Sequence, residues 1–98
     1  MSKVIIAYTL NFTESFISAH EYIHVKLQSP KAADDFVSGV ITSIDRASHT
    51  PHIAVKRLTH DNVPCYVISY KNWNIYYSVE DDVMKVLDLV HQSQGSAF

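Results

Sequence analysis

Hydrophobic and polar positions along this chain change period twice, and each change marks a change of element. Lys3 to Tyr8 is a run of β-branched and aromatic residues without a breaker, which predicts a strand. Asn11-Phe12-Thr13-Glu14 then reads as a helix start, with Asn11 able to cap and Glu14 able to reach back to it. Phe12, Phe16, Ala19, Ile23 and Leu27 follow at spacings of four and three, one apolar stripe on a helix. Ser29-Pro30 predicts the start of a second helix: serine suits the cap, and proline suits the first helical position, where its missing N–H has no partner to lose. Ala33, Phe36, Val37, Val40, Ile41 and Ile44 form its expected buried face, and His49-Thr50-Pro51-His52 its end. So short a link between the helices implies an antiparallel hairpin.

From residue 53 onward the helical period gives way to that of strands. Ile53 to Leu58 is short and ambiguous, and Pro64 to Tyr70 is rich in aromatic and β-branched residues. Trp73, Ile75, Tyr77 and Val79 alternate with Asn74, Tyr76 and Ser78, so the first set is expected in the core and the second on the other face. Val83 to His91 is a last, mostly apolar strand. Lys71-Asn72 and Glu80-Asp81-Asp82 are tight polar connections, which imply antiparallel pairing. The expected fold class is α+β: an N-terminal strand, then an antiparallel helical hairpin packed on a twisted, mainly antiparallel four-stranded sheet. One domain is expected over residues 1–98, with the hairpin at about 11–49 and the sheet at 3–8 and about 53–91.

Composition narrows the function classes. The hydrophobic fraction is 47% and the charged fraction 18%, which excludes intrinsic disorder. No apolar run is long enough for a membrane helix and the apolar N-terminal run is too short for a signal peptide, so a soluble cytoplasmic protein is expected. The single cysteine, Cys65, excludes an internal disulfide and a cysteine-based zinc cluster, and its apolar neighbours predict a buried thiol. The net charge is −2 and the eight Lys and Arg are spread thinly, which weighs against nucleic acid as the main partner.

His20-Glu21-Tyr22-Ile23-His24 spells the helical H-E-x-x-H pattern of zinc proteases. A third ligand is wanting: Leu27 and Pro30 stand where a metzincin extension would continue, and Glu14 and Glu80 are the only other glutamates. With six histidines in the chain the match is read as chance, and no metal or cofactor is expected. His49 and His52 read as solvated loop residues.

Several segments resemble the RelE/ParE superfamily of toxins from type II toxin–antitoxin systems. Ser29-Pro30-Lys31-Ala32-Ala33-Asp34-Asp35-Phe36 resembles that family's "SPxAAxxF" opening of the second helix. Ile75-Tyr76-Tyr77-Ser78-Val79-Glu80-Asp81-Asp82-Val83 resembles its "I-x-Y-x-V-x-D-D" hairpin. Val86 to Gln92 resembles its final strand, which typically ends in a histidine, here His91. The likeness spans about residues 3 to 93. It implies a toxin that arrests growth, neutralised by a cognate antitoxin in a heteromeric complex that binds operator DNA through the antitoxin, as in plasmid or prophage stabilisation.

The superfamily divides by target. RelE-like members cleave mRNA on the ribosome with strand arginines and lysines and a C-terminal tyrosine or histidine, whereas ParE-like members poison DNA gyrase in its cleaved-DNA state. Here Asn74 stands where the RelE-like "R-I-x-Y" strand begins with arginine, and a neutral amide cannot stabilise a phosphorane as a guanidinium does. Gln92-Ser93-Gln94 replaces the common basic tail. Together with the sequence pI of about 6.3 and two long helices, this favours the ParE branch: a gyrase poison that binds rather than catalyses. The alternatives are a ribosome-dependent mRNA interferase, with Lys56, Arg57 and His91 as its chemistry, and a non-toxic interaction module or retargeted toxin. Candidate contacts for target or antitoxin are the exposed polar positions Lys56, Arg57, His60, Asn74, Tyr76, His91 and Gln94.

Overall fold

The computed structural model describes residues 4–51, 56–60 and 63–94, and the side chains of these except 56–60, 63, 64 and 94. Strand β1 (Ile5–Tyr8) leads into helix α1 (Leu10–Glu21), which continues as a π-helical turn (Tyr22–Lys26). Helix α2 (Pro30–His49) follows, then strands β2 (Lys56–His60), β3 (Val63–Tyr70), β4 (Trp73–Glu80) and β5 (Val83–His91), and a 3₁₀ turn over Gln92–Gln94. Of the segment expected as the second strand, residues 53–55 lie outside the described residues.

The sheet order is β1-β5-β4-β3-β2. β2 to β5 form an antiparallel meander, and β1 joins it as a parallel edge strand beside β5, so the sheet has five strands with the N-terminal one counted. The two hairpin loops, Lys71-Asn72 and Asp81-Asp82, are as short as expected, and Lys71 and Asp81 each sit at positive φ (52° and 55°). Where Tyr76 pairs Asp88 and Tyr77 pairs Val86, Leu87 is left over, a bulge that shifts the alternation of β5.

One core lies between the helices and the sheet. Phe12, Ala19 and Ile23 enter it from the first helix, Ala33, Phe36, Val40 and Ile44 from α2, and Ile75, Tyr77, Met84, Val86 and Leu89 from the sheet. Trp73 and Val79 pack against it, so β4 alternates as expected. Rings connect across this layer: Phe12 to Phe16 at 5.5 Å, Phe16 to Phe36 at 5.6 Å and Phe36 to Trp73 at 5.1 Å between centroids. Such aromatic pairs each add about 0.5–1.5 kcal/mol beyond area burial.

The helix starts differ from each other. Ser29 caps α2 as expected, its Oγ accepting from the Ala32 N–H at 3.2 Å, with Pro30 at the first position. For α1 the expected cap, Asn11, is already inside the helix. Thr9 caps instead, accepting from the Phe12 N–H at 3.0 Å and donating its hydroxyl to the Leu87 carbonyl at 2.9 Å. One side chain thus starts the helix and ties it to β5.

Leu27 was expected to end the first stripe but is 56% exposed. The wider π-helical turn just before it rotates the chain and carries Leu27 off the core side. Ile41, expected in the core, is also exposed, because it sits one position off the Phe36–Val40–Ile44 line. α2 lies close on β3 through Gly39: a Cβ there would overlap the Tyr70 ring, whose hydroxyl donates to the Asp35 carbonyl at 3.3 Å. The end of α2 is pinned to β4 by the buried Tyr77 hydroxyl, which donates to the Pro51 carbonyl at 2.7 Å. Burial pushes the Tyr77 phenol up to about 12, and the neighbouring Tyr66 adds to the rise.

Candidate functional site

Asn11, Glu14, Ser15, Ser18 and Tyr22 recur at helical spacing on one side of α1, clear of its core stripe. That side forms one wall of a groove of about 510 Å³. Trp73, Leu89, His91 and Ser93, from the paired ends of β4 and β5 and the turn after them, line the rest. Small hydroxyl residues on the helix leave space there, and Ser15 also holds the wall in place. Its hydroxyl donates to the Asp88 carboxylate at 3.1 Å, and the same oxygen accepts from the Leu89 N–H at 2.8 Å. Asp88 follows the bulge residue Leu87, so the irregularity of β5 is what lets its carboxylate meet α1.

His91 is fixed within the groove. Its ring meets Trp73 edge to face, with centroids 4.8 Å apart. Its Nδ1 accepts from the Ser93 N–H at 3.0 Å and lies 2.6 Å from the Ser93 hydroxyl. A backbone N–H can only donate, so in the neutral ring the hydrogen is on Nε2. The groove is therefore lined by the His91 ring, several hydroxyls, a carboxylate from Glu14 and an aromatic wall. This suits recognition of a polar or cationic segment of a partner with apolar flanks. Among the described residues, no three His, Cys, Asp or Glu are grouped to hold a metal ion.

The other residues singled out in the sequence are dispersed. Asn74 faces away from the helices, where its Oδ1 accepts from the Ser69 hydroxyl at 3.1 Å and the Gln92 amide at 3.2 Å. It clamps β3, β4 and the 3₁₀ turn together. Tyr76 was expected to be exposed, and this is corrected: it is 2% exposed, packed with Cys65 and Val67 in a second apolar cluster on the outer face, where Leu87 and Val90 join it. Burial, first of all, raises its phenol, and burial alone raises the thiol of Cys65, which is buried as expected. Lys56, Arg57 and His60 are on β2, and Gln94 is in the 3₁₀ turn. Their side chains lie outside the described ones.

Register separates these groups. Lys56 pairs Val67 and Arg57 pairs Tyr66, whereas His91 pairs Trp73, which pairs Tyr70. Three strand spacings put β2 about 14 Å across the sheet from β5, and the offset from Tyr70 to Val67 adds about 10 Å along it. These are backbone separations, and the reach of the Lys56 and Arg57 side chains lies outside the described residues. The groove wall on α1 was missed from the sequence because Asn11 and Glu14 were read as capping residues. The signal that could have found it is the run of small polar residues, Asn11, Ser15 and Ser18, on one helical side.

The family model described as ParE toxin of the type II toxin–antitoxin system parDE matches residues 6–95. The fold is similar to that of a chromosomal ParDE toxin–antitoxin system from P. aeruginosa, with a TM-score of 0.75 at 10% identity over 91% of this chain and 96% of that one. It is also similar to the RelBE2 toxin–antitoxin complex from Mycobacterium tuberculosis, with a TM-score of 0.64 at 12% identity over 92% and 99% of the two chains. The sequence matches no curated protein. At such identities the structural likenesses speak for the fold, and the family rests on the sequence model, which spans nearly the whole chain. The chain belongs to the ParE toxin family of type II toxin–antitoxin systems, within the RelE/ParE superfamily.

Proposed function

We propose that this toxin arrests growth by binding DNA gyrase and holding it in its cleaved-DNA state, and that a cognate antitoxin neutralises it. Asn74 carries the reading. Where RelE-like relatives place a strand arginine, this chain has an amide whose oxygen is bonded to Ser69 and Gln92. Cleavage of RNA requires charge stabilisation on phosphorus beside a proton donor. A poison that acts by binding needs a shaped surface instead.

The groove between α1 and the β4–β5 end is the proposed seat for an antitoxin segment laid along α1. The antitoxin would also carry the DNA-binding half of an autoregulating complex. Ribosome-dependent mRNA cleavage is the second reading, and it rests on His91, whose Nε2 hydrogen is set by Ser93 within an open groove. Expression without the antitoxin separates the two. The proposal expects broken chromosomes and a DNA-damage response while mRNA stays intact. Fragmented mRNA with unbroken DNA supports the second reading, and unimpaired growth points to a module without toxicity.

A further inference from the structure

The fixed charge around the groove is of one sign. Glu14 stands exposed on the helical wall, and the described residues of the lining include no lysine or arginine. Along α1 itself, Glu14 and Glu21 are not balanced by any lysine or arginine either. The Asp88 carboxylate adds a further negative charge beside the lining, where it is bonded to Ser15 and to the Leu89 N–H.

The surroundings of this charge are aromatic and apolar. Trp73 and Tyr22 contribute rings, and Ala19 and Leu89 are buried beneath them. A carboxylate beside aromatic rings selects among basic side chains. Arginine is planar and weakly hydrated, its fork matches a carboxylate, and its flat faces stack on rings. A lysine ammonium is a compact, strongly hydrated point charge and suits this setting less. At about 510 Å³ the groove also has room for the neighbours of such an arginine.

We propose that the groove recognises an arginine of the antitoxin, seated against Glu14 and the Trp73 ring, with aliphatic residues of the same antitoxin segment covering Tyr22 and Leu89. This rests on the reading that the groove seats the antitoxin, and it names the side chain that decides the fit. It does not depend on gyrase being the target.

The test measures binding of the purified cognate antitoxin to toxin variants by surface plasmon resonance. Ser18→Trp fills the groove, and Glu14→Gln removes the charge while keeping the shape. Both positions are exposed, so circular dichroism should be unchanged. Affinity is expected to fall roughly a hundredfold or more in Ser18→Trp. In Glu14→Gln it should fall about tenfold, by less as salt is raised. Glu21→Gln, exposed on α1 outside the lining, should stay within about twofold. Changing the antitoxin's arginines to alanine one at a time should find one that costs about tenfold against the wild-type toxin and nothing against Glu14→Gln. If Ser18→Trp binds as tightly as the wild type, the antitoxin seats elsewhere and both readings fall. If Ser18→Trp blocks binding but Glu14→Gln does not weaken it, or no arginine couples to Glu14, the groove remains the seat and the arginine proposal is overturned.

Discussion

The two helices of the hairpin are built on opposite terms. α2 runs for 20 residues without irregularity. Ser29 caps it, Gly39 fits it against Tyr70, and Tyr77 pins its end through Pro51. α1 lasts 12 residues before the π-helical turn takes over. It leaves Leu10, Ile17 and Tyr22 exposed. The regular helix is the scaffold, and the irregular one walls the groove. Departures from local rules tend to mark function, because packing alone gives no reason to keep them.

That contrast is measurable by substitution. Phe36→Ala should have the largest effect: it opens a cavity between Phe16 and Trp73 and should lower unfolding free energy by about 3–5 kcal/mol in a urea titration. Ile17→Ala, on the exposed side of α1, should stay within about 0.5 kcal/mol. Comparable losses at the two sites would erase the division between scaffold and presenting helix. Gly39→Ala comes next, costing about 1–3 kcal/mol because Tyr70 must leave its seat and its bond to the Asp35 carbonyl.

Alkaline titration probes the pin at the end of α2. The Tyr77 phenol, ordinarily near 10.0, is raised to about 12 in the fold. A raised folded-state value means the folded protein holds the proton more tightly than the unfolded chain. The corresponding stability is present below pH 10 and is lost as pH rises towards 12. The loss is on the order of 3 kcal/mol. Tyr77→Phe should be less stable at neutral pH by about 1 kcal/mol, for want of its bond to Pro51, yet show a flatter decline in this window. A parallel decline in both proteins would assign the alkaline loss elsewhere. The caps test single hydrogen bonds. Thr9→Ala should cost more than Ser29→Ala, about 2 against about 1 kcal/mol, because Thr9 also bonds the Leu87 carbonyl. Equal costs would mean that this second bond adds nothing.

What could be read from the sequence was what depends on near neighbours. The Ser29-Pro30 start, the α2 stripe apart from Ile41, and the alternation of Trp73, Ile75 and Tyr77 need only local period and capping chemistry, and each has its expected place. What escaped depends on distant partners. Thr9 gives no sign along the chain that the Leu87 carbonyl will be beside it, nor Ser15 that Asp88 will. Nothing in residues 5–8 specifies pairing with β5 in parallel. A π-type turn over Tyr22–Lys26 has no composition of its own, and with it went the placing of Leu27. Alternation put Tyr76 on the outer face correctly. Its burial there needs Cys65 and Val67 from β3, which only strand register supplies.

The central claim is that this toxin acts by binding gyrase rather than by cutting RNA. It is tested most directly by titrating the purified chain into gyrase, plasmid DNA and ATP, then releasing trapped DNA with detergent and protease. The account predicts that supercoiling falls and linear DNA accumulates as toxin approaches stoichiometry with gyrase, and that prior addition of the antitoxin prevents both. Unaffected gyrase, with the same preparation cleaving ribosome-bound mRNA, would contradict it.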